Sequence, residues 1–234
     1  MTVPIFIVFS ALMLGVFLLT LWIIKRGADK TVAARDRALT PGNGTNAPPD
    51  YKPGPPLKKG KSALSPAIRW SLHYTEDLWT LQIRGEGPIA DTAGGDGFFT
   101  APNARHDWVT ACGGASAHLT VAPGVTELGR RAFAGMQLRS AAIPGTVKRV
   151  GAQAFQNCAL QTVWLAEGVE RLEAGVFSGC GHLKAVYLPA SLTRIDDTAF
   201  GDDPASLAGL CLFAPENSPA ARWAAEKGLP LTSA

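Results

Sequence analysis

Val147-Lys-Arg-Val150-Gly-Ala-Gln-Ala-Phe155-Gln-Asn-Cys158-Ala-Leu160-Gln-Thr-Val163-Trp-Leu165 is one copy of a repeated unit. Its phenylalanine recurs as Phe133, Phe155, Phe177 and Phe200, at spacings of 22, 22 and 23 residues. An apolar pair precedes each ring: Val125/Leu128, Val147/Val150, Val169/Leu172 and Leu192/Ile195. A strand-like segment precedes each pair: Leu119-Thr-Val121, Ala141-Ala-Ile143, Val163-Trp-Leu165 and Val186-Tyr-Leu188. A unit of about 22 residues cannot bury its own apolar face, so copies must stack. The folded part is therefore read as a β-rich solenoid with a parallel sheet.

Alternation assigns the two faces of that sheet. Leu119, Val121, Ala141, Ile143, Val163, Leu165, Val186 and Leu188 point inward, whereas Thr120, Ala142, Trp164 and Tyr187 point outward. Leu210-Cys-Leu212 reads as a fifth rung with Cys211 outward. Before the repeats, Ile68-Arg-Trp70-Ser-Leu72 and Leu78-Trp-Thr-Leu81-Gln-Ile83 alternate and read as a β-hairpin. His73 to Asp77 is taken as its polar connection. The stretch 91–114 reads as irregular loops, with Trp108 anchoring a cap over the first rung. After the repeats, Asn217 or Ser218 caps a helix that starts at Pro219 and stops at Gly228, with Trp223 packed on the last rung. The expected divisions are 1–24 a transmembrane anchor, 25–62 a basic flank and Pro-rich linker, 63–118 an N-terminal β cap, 119–213 the repeats, and 214–234 a capping helix and tail.

The N-terminal run 3–24 carries no charged side chain. At 1.5 Å per residue it reaches about 33 Å, enough for a bilayer core. It is too long for a signal-peptide core, and Lys25-Arg26 ends it abruptly. The basic residues all follow it, and the positive-inside rule then places the head in the cytoplasm. The segment 40–61, with Pro41, Pro48, Pro49, Pro53, Pro55 and Pro56, reads as an extended spacer, which makes better sense on a cell surface. The outward placement is adopted here, with a cytoplasmic head as the alternative. A net charge of +3 and the lack of a recognised motif exclude a nucleic-acid footprint.

The unit from Val147 to Leu165, and that from Val169 through Leu188-Pro189, resemble the BspA-type leucine-rich repeat of bacterial surface proteins. The strand segment around Trp70 to Gly87 and the closing run from Asn217 to Leu229 are similar to that family's usual ends. Departures are Met136 in place of the corner cysteine, Ala166-Glu167 in place of a proline, and Gly201-Asp-Asp-Pro204 in the last corner. The resemblance implies a leucine-rich-repeat solenoid with an N-terminal hairpin cap and a C-terminal helix; the apolar run 3–24 adds one preceding transmembrane helix. The resemblance also implies a role in adhesion or interaction.

Trp164 and Tyr187 lie on adjacent rungs of the outward face, and exposed aromatics at that spacing suit a protein or glycan partner. Thr162, His118 and Thr120 share that face, with Ser140 beside His118. Arg149, Arg171 and Arg194 recur in a basic stripe on another face, headed by Glu127. Ser140 and His118 have no identifiable orienting group or oxyanion donors, so the chain is not read as an enzyme. His73, His106 and His182 fall in loops or corners without metal-ligand spacing, and His106-Asp107 reads as an accidental neighbour pair. No metal or cofactor is expected. Cys158 and Cys180 share one repeat position with Met136, which marks a soft, buried core site and free thiols.

Overall fold

The computed structural model describes residues 55–75, 78–92, 106–202, 207 and 209–233. The apolar run 3–24, its basic flank and most of the Pro-rich spacer lie outside these residues. Among the described residues no helix is long and apolar enough to cross a membrane.

Strand β1 (Lys58–Lys61) is followed by β2 (Ile68–Thr75), β3 (Leu78–Gly85), β4 (Gly87–Pro88) and helix α1 (Asp107–Cys112). The repeats then alternate longer and shorter strands: β5 (Ala117–Val121), β6 (Val125–Leu128), β7 (Leu138–Ile143), β8 (Arg149–Val150), β9 (Thr162–Leu165), β10 (Arg171–Leu172), β11 (Ala185–Tyr187) and β12 (Arg194–Ile195). Strand β13 (Cys211–Ala214), helix α2 (Pro219–Glu226) and β14 (Leu231–Ser233) close the chain. The longer strands form a nine-stranded sheet in the order β1-β2-β3-β5-β7-β9-β11-β13-β14, and the shorter ones a five-stranded sheet, β12-β10-β8-β6-β4. Five turns, β3/β4 through β11/β12, give one strand to each sheet. The core lies between the sheets, and every residue assigned inward by alternation is buried in it.

The phenylalanines form the far wall of that core as one column of rings. Phe133 and Phe155 stack with centroids 5.3 Å apart, Phe155 and Phe177 at 5.8 Å, and Phe177 and Phe200 at 5.3 Å. Trp108 closes the column at one end, 5.6 Å from Phe133, and Trp223 at the other, 5.6 Å from Phe200. The backbone is stitched along the same line: the Phe133 N–H donates to Ala154 O at 2.9 Å and the Phe155 N–H to Val176 O at 3.0 Å. Cys158 and Cys180 are buried and free, and their thiols donate to the carbonyls of Phe133 and Phe155, each at 3.1 Å. The position is thus more than apolar filler: a thiol there ties its corner to the preceding rung, which Met136 cannot do.

Several boundaries differ from the sequence reading. The hairpin β2–β3 is present, with Leu72 opposite Leu81, but its polar connection is shorter: His73 is a buried residue of β2 opposite Thr80. The hairpin is also more than a cap, because β3 runs parallel to β5 (Leu81 beside Leu119) and β4 pairs with β6. Stacking therefore begins at Leu78, since Leu81 and Ile83 continue the inward apolar row. Residues 58–61, assigned to the linker, pair with β2 as an edge strand. Its lysines suit an edge, and Gly60 admits the Trp70 indole, which a Cβ there would meet at 2.9 Å. The 91–114 stretch contains α1, which brings Trp108 onto Phe133. Ser218 caps α2, accepting from the Ala221 N–H at 3.1 Å. Beyond α2, β14 adds a last parallel strand to β13.

His106 and Asp107 are structural rather than accidental. Asp107 accepts from the Ala63 N–H at 3.0 Å. His106 is fully buried and stacks on Trp108 at 4.0 Å. Its Nε2 donates to Ala90 O at 3.0 Å, so its Nδ1 accepts from the Ser62 hydroxyl at 2.9 Å. Burial holds this imidazole below its ordinary pKa of 6.5, in the neutral form that the two bonds require.

The column and the closeness of the rungs give one prediction. Phe155→Ala, at the centre of the stack, should lower the unfolding free energy by about 3–5 kcal/mol in urea titrations of the full chain. Gly145→Ala should be comparably harmful, because a Cβ there would overlap the Glu167 carbonyl of the next rung. A loss below about 1 kcal/mol at Phe155 would mean that the rungs are held by their sheets alone.

Candidate functional site

The outward face of the large sheet carries two registered rows. One runs Thr80, His118, Ser140, Thr162, Ala185, Cys211; the other runs Gln82, Thr120, Ala142, Trp164, Tyr187, Phe213. The five residues singled out on this face, Trp164, Tyr187, Thr162, His118 and Thr120, are thus brought onto one surface. His118 and Ser140 do touch, Nδ1 to Oγ at 2.6 Å.

The aromatics are neighbours, as their period requires, but they are not exposed. Trp164 is 2% and Tyr187 7% accessible, although neither belongs to the core cluster between the sheets. Their rings stack at 5.8 Å with 7° between planes, and Tyr187 stacks in turn on Phe213 at 4.6 Å. Flat rings in register on strands roughly 4.8 Å apart cover one another, so most of their area faces a neighbouring ring. Burial also raises the Tyr187 hydroxyl above its ordinary pKa. Phe213 escaped the sequence reading because the irregular corner after Phe200 puts it 26 residues after Tyr187, off the period.

A recess of about 470 Å³ opens beside this stack. Its origin is a step in the row: Ala142 is small where Trp164 is large, and Pro144, Pro189 and Pro215 end the flanking strands. The walls are mostly apolar, with Thr120 and Glu167 among them. The Trp164 Nε1–H is buried and has no hydrogen-bond partner among the described residues. An unmet buried donor costs on the order of 1–3 kcal/mol. The one carboxylate in the lining, Glu167, is already engaged, accepting from the Ala190 and Ser191 N–H groups at 2.7 and 3.2 Å. Its departure from the repeat pattern thus caps the corner of the next turn.

The basic stripe is in register on the small sheet: Glu127, Arg149, Arg171 and Arg194 are successive Cα partners. It is not uniformly basic. Arg149 pairs with Glu127 at 2.6 Å and with Glu173 at 2.9 Å. Hydrogen bonds to Glu173 and Glu127 hold its guanidinium above its ordinary pKa. Arg171 and Arg194 remain exposed. Among the described residues no group of three or more His, Cys, Asp or Glu side chains could hold a metal ion.

Stacked turns, two sheets whose repeat strands run parallel, and a ring column define a leucine-rich-repeat-type solenoid. Residues 114–208 match the family described as BspA type leucine rich repeat region, in six copies. No curated protein matches the chain. Among solved structures, it is similar to a leucine-rich repeat protein from Eubacterium ventriosum, with 19% identity over 69% of this chain and 45% of that one, and a TM-score of 0.46. A leucine rich cell surface protein from Faecalibacterium prausnitzii matches with 17% identity over 66% of this chain and 55% of that one, at a TM-score of 0.28. The chain therefore spans about half the length of each.

Burial separates the thiols. It pushes Cys112 and Cys180 from 9.0 up to about 11, and Cys158 up as well, whereas Cys211 is half-buried on the outward row. A disulfide reagent near pH 8 should modify Cys211 rapidly in the folded chain and all 4 cysteines only after unfolding. Because the folded pKa values are raised, the stability from these protonated thiols is complete below pH 9.0 and is lost as the pH rises towards about 11. Urea midpoints should fall across that window, and less steeply in Cys180→Ala. Rapid native modification of Cys158 or Cys180 would contradict the packing.

Proposed function

We propose that the chain is a membrane-tethered, non-catalytic leucine-rich repeat module for protein or glycan recognition or adhesion at the cell surface. The observation that carries this reading is the apolar recess beside Trp164 with its unmatched indole N–H. An apolar recess bordered by aromatic side chains suits a ligand with a flat apolar face, which peptides and sugars both offer. The recess does not suit catalysis, because its carboxylate is spent on two backbone N–H groups. Tethering follows from the apolar run 3–24, and the Pro-rich segment after it gives the head reach. Surface placement agrees with the repeat type.

The alternative is a structural or self-assembling envelope protein, which a cytoplasmic head would also allow. One observation favours it: β14 is an edge strand exposed along its length, with Leu231 40% accessible. Edges of this kind pair with second copies. Light scattering of the full chain in detergent should show a mass independent of concentration if recognition is the role.

Two measurements test the main reading. Protease applied to intact cells should remove the head; a head that survives shaving lies inside and ends the surface version. The full chain should also be screened against immobilised glycans and peptides. For a genuine ligand of the recess, Ala142→Trp, which fills it, and Trp164→Phe, which removes the N–H and shrinks the ring, should each weaken binding by about tenfold or more with folding retained. A ligand that ignores both variants binds elsewhere.

A further inference from the structure

Among the described residues, two charges on the small sheet have no counter-ion. Arg171 and Arg194 are Cα partners on neighbouring parallel strands, about 4.8 Å apart. Both are exposed, and neither makes an ion pair among the described residues. Arg149, in the same ladder, saturates two carboxylates, so the contrast is within one row of identical side chains. Like charges held side by side are unfavourable unless an anion joins them.

Two carboxylates, Glu173 and Asp196, line the same space, and each accepts hydrogen bonds from other groups. Glu173 gives one oxygen to Arg149 at 2.9 Å and the other to the Ala152 N–H at 2.9 Å. Asp196 accepts from the N–H and the hydroxyl of Thr198, at 2.9 and 2.7 Å. Between the arginines and α2 lies an open cavity of about 680 Å³, whose walls include Thr193, Pro219 and Trp223. That volume is far beyond a small inorganic anion, given the ~30 Å³ share of one water, so the space admits a larger body that carries an anionic group. Trp223 lines the cavity, and its buried Nε1–H has no partner among the described residues. Helix α2 packs against β12. It thereby obstructs the strand edge that an extended peptide would otherwise join.

The geometry points to a carboxylate-bearing saccharide as the ligand of this cavity, its carboxylate shared by the guanidinium forks of Arg171 and Arg194 and its pyranose ring laid against Trp223. Arginine forks match a carboxylate in two directions at once. The site is separate from the Trp164 recess, on the other sheet and with other residues, so either can fail without the other.

The test is calorimetric titration of the full chain with trigalacturonate, its fully methyl-esterified form, inorganic phosphate and a hexaglutamate peptide. Trigalacturonate should bind with a dissociation constant of about 1 mM or tighter, and esterification, which removes charge but keeps the rings, should weaken it by about tenfold or more. Binding should weaken as salt is added. Arg171→Gln with Arg194→Gln should cause a similar loss with an unchanged unfolding midpoint, since both side chains are exposed. Should that pair unfold the protein, Arg171→Lys with Arg194→Lys keeps the charge but removes the forks, and should weaken binding by about threefold or more. No binding of trigalacturonate, equal binding of the ester, or variants that bind as well as the parent would overturn the proposal. So would hexaglutamate or phosphate binding as tightly as the saccharide, the first result assigning the site to acidic peptides and the second to simple anions.

Discussion

Each rung of this solenoid is too thin to hold a core of its own, and the column of rings from Trp108 through Phe133, Phe155, Phe177 and Phe200 to Trp223 is what makes the rungs one body. Rings spaced at 5.3–5.8 Å sit close to the strand separation, so side-chain stacking and backbone hydrogen bonding impose the same repeat distance. That agreement leaves little room for a turn to slip or tilt. It also explains the tryptophans at the ends. An exposed phenylalanine would terminate the column in water, and a larger ring carried by a helix covers it on each side. The Cys158 and Cys180 thiols reinforce the line by tying each corner to the carbonyl of the preceding ring residue.

With the rungs locked in register, every position in the repeat becomes a ladder on the surface. The consequences depend on what fills each ladder. A row containing Ala142, Trp164, Tyr187 and Phe213 becomes a stack with a step beside it, and the step is a recess. A row beginning with Glu127 and continuing through three arginines neutralises its first cation and leaves the next two facing solvent. Departures from the repeat pattern have local work of their own. Glu167, which follows the Ala166 that stands in the proline's place, caps the next corner with its carboxylate. Asn157 holds the left-handed corner conformation at φ 55°, which Gly179 holds one turn later at φ 72°.

Much of this was legible in the chain because the period is short and the ring is the same in every copy. Inward and outward faces followed from alternation, and the adjacency of Trp164 with Tyr187, and of His118 with Ser140, followed from counting residues. The hairpin's second role was not legible. Leu81 and Ile83 look like ordinary alternating strand residues, and only their pairing with Leu119 and Val121 makes them a rung. Helix α1 is six residues long and begins at an ordinary His-Asp pair, so it carries no periodic signal. Strands β1 and β14 form because a sheet edge is available to pair with, which a local pattern cannot report.

By itself, the sequence determined the repeat length, the orientation of each side chain relative to the sheet and the order of the ladders, because these depend only on spacing and on the two-residue period of a strand. Burial on the outward face was decided only by the tertiary structure. Whether Trp164 meets water depends on the rings beside it and on the size of residue 142. Whether an arginine is free depends on which carboxylate from another turn reaches it first. Both are properties of neighbours that lie more than twenty residues away along the chain, and they exist only once the rungs have stacked.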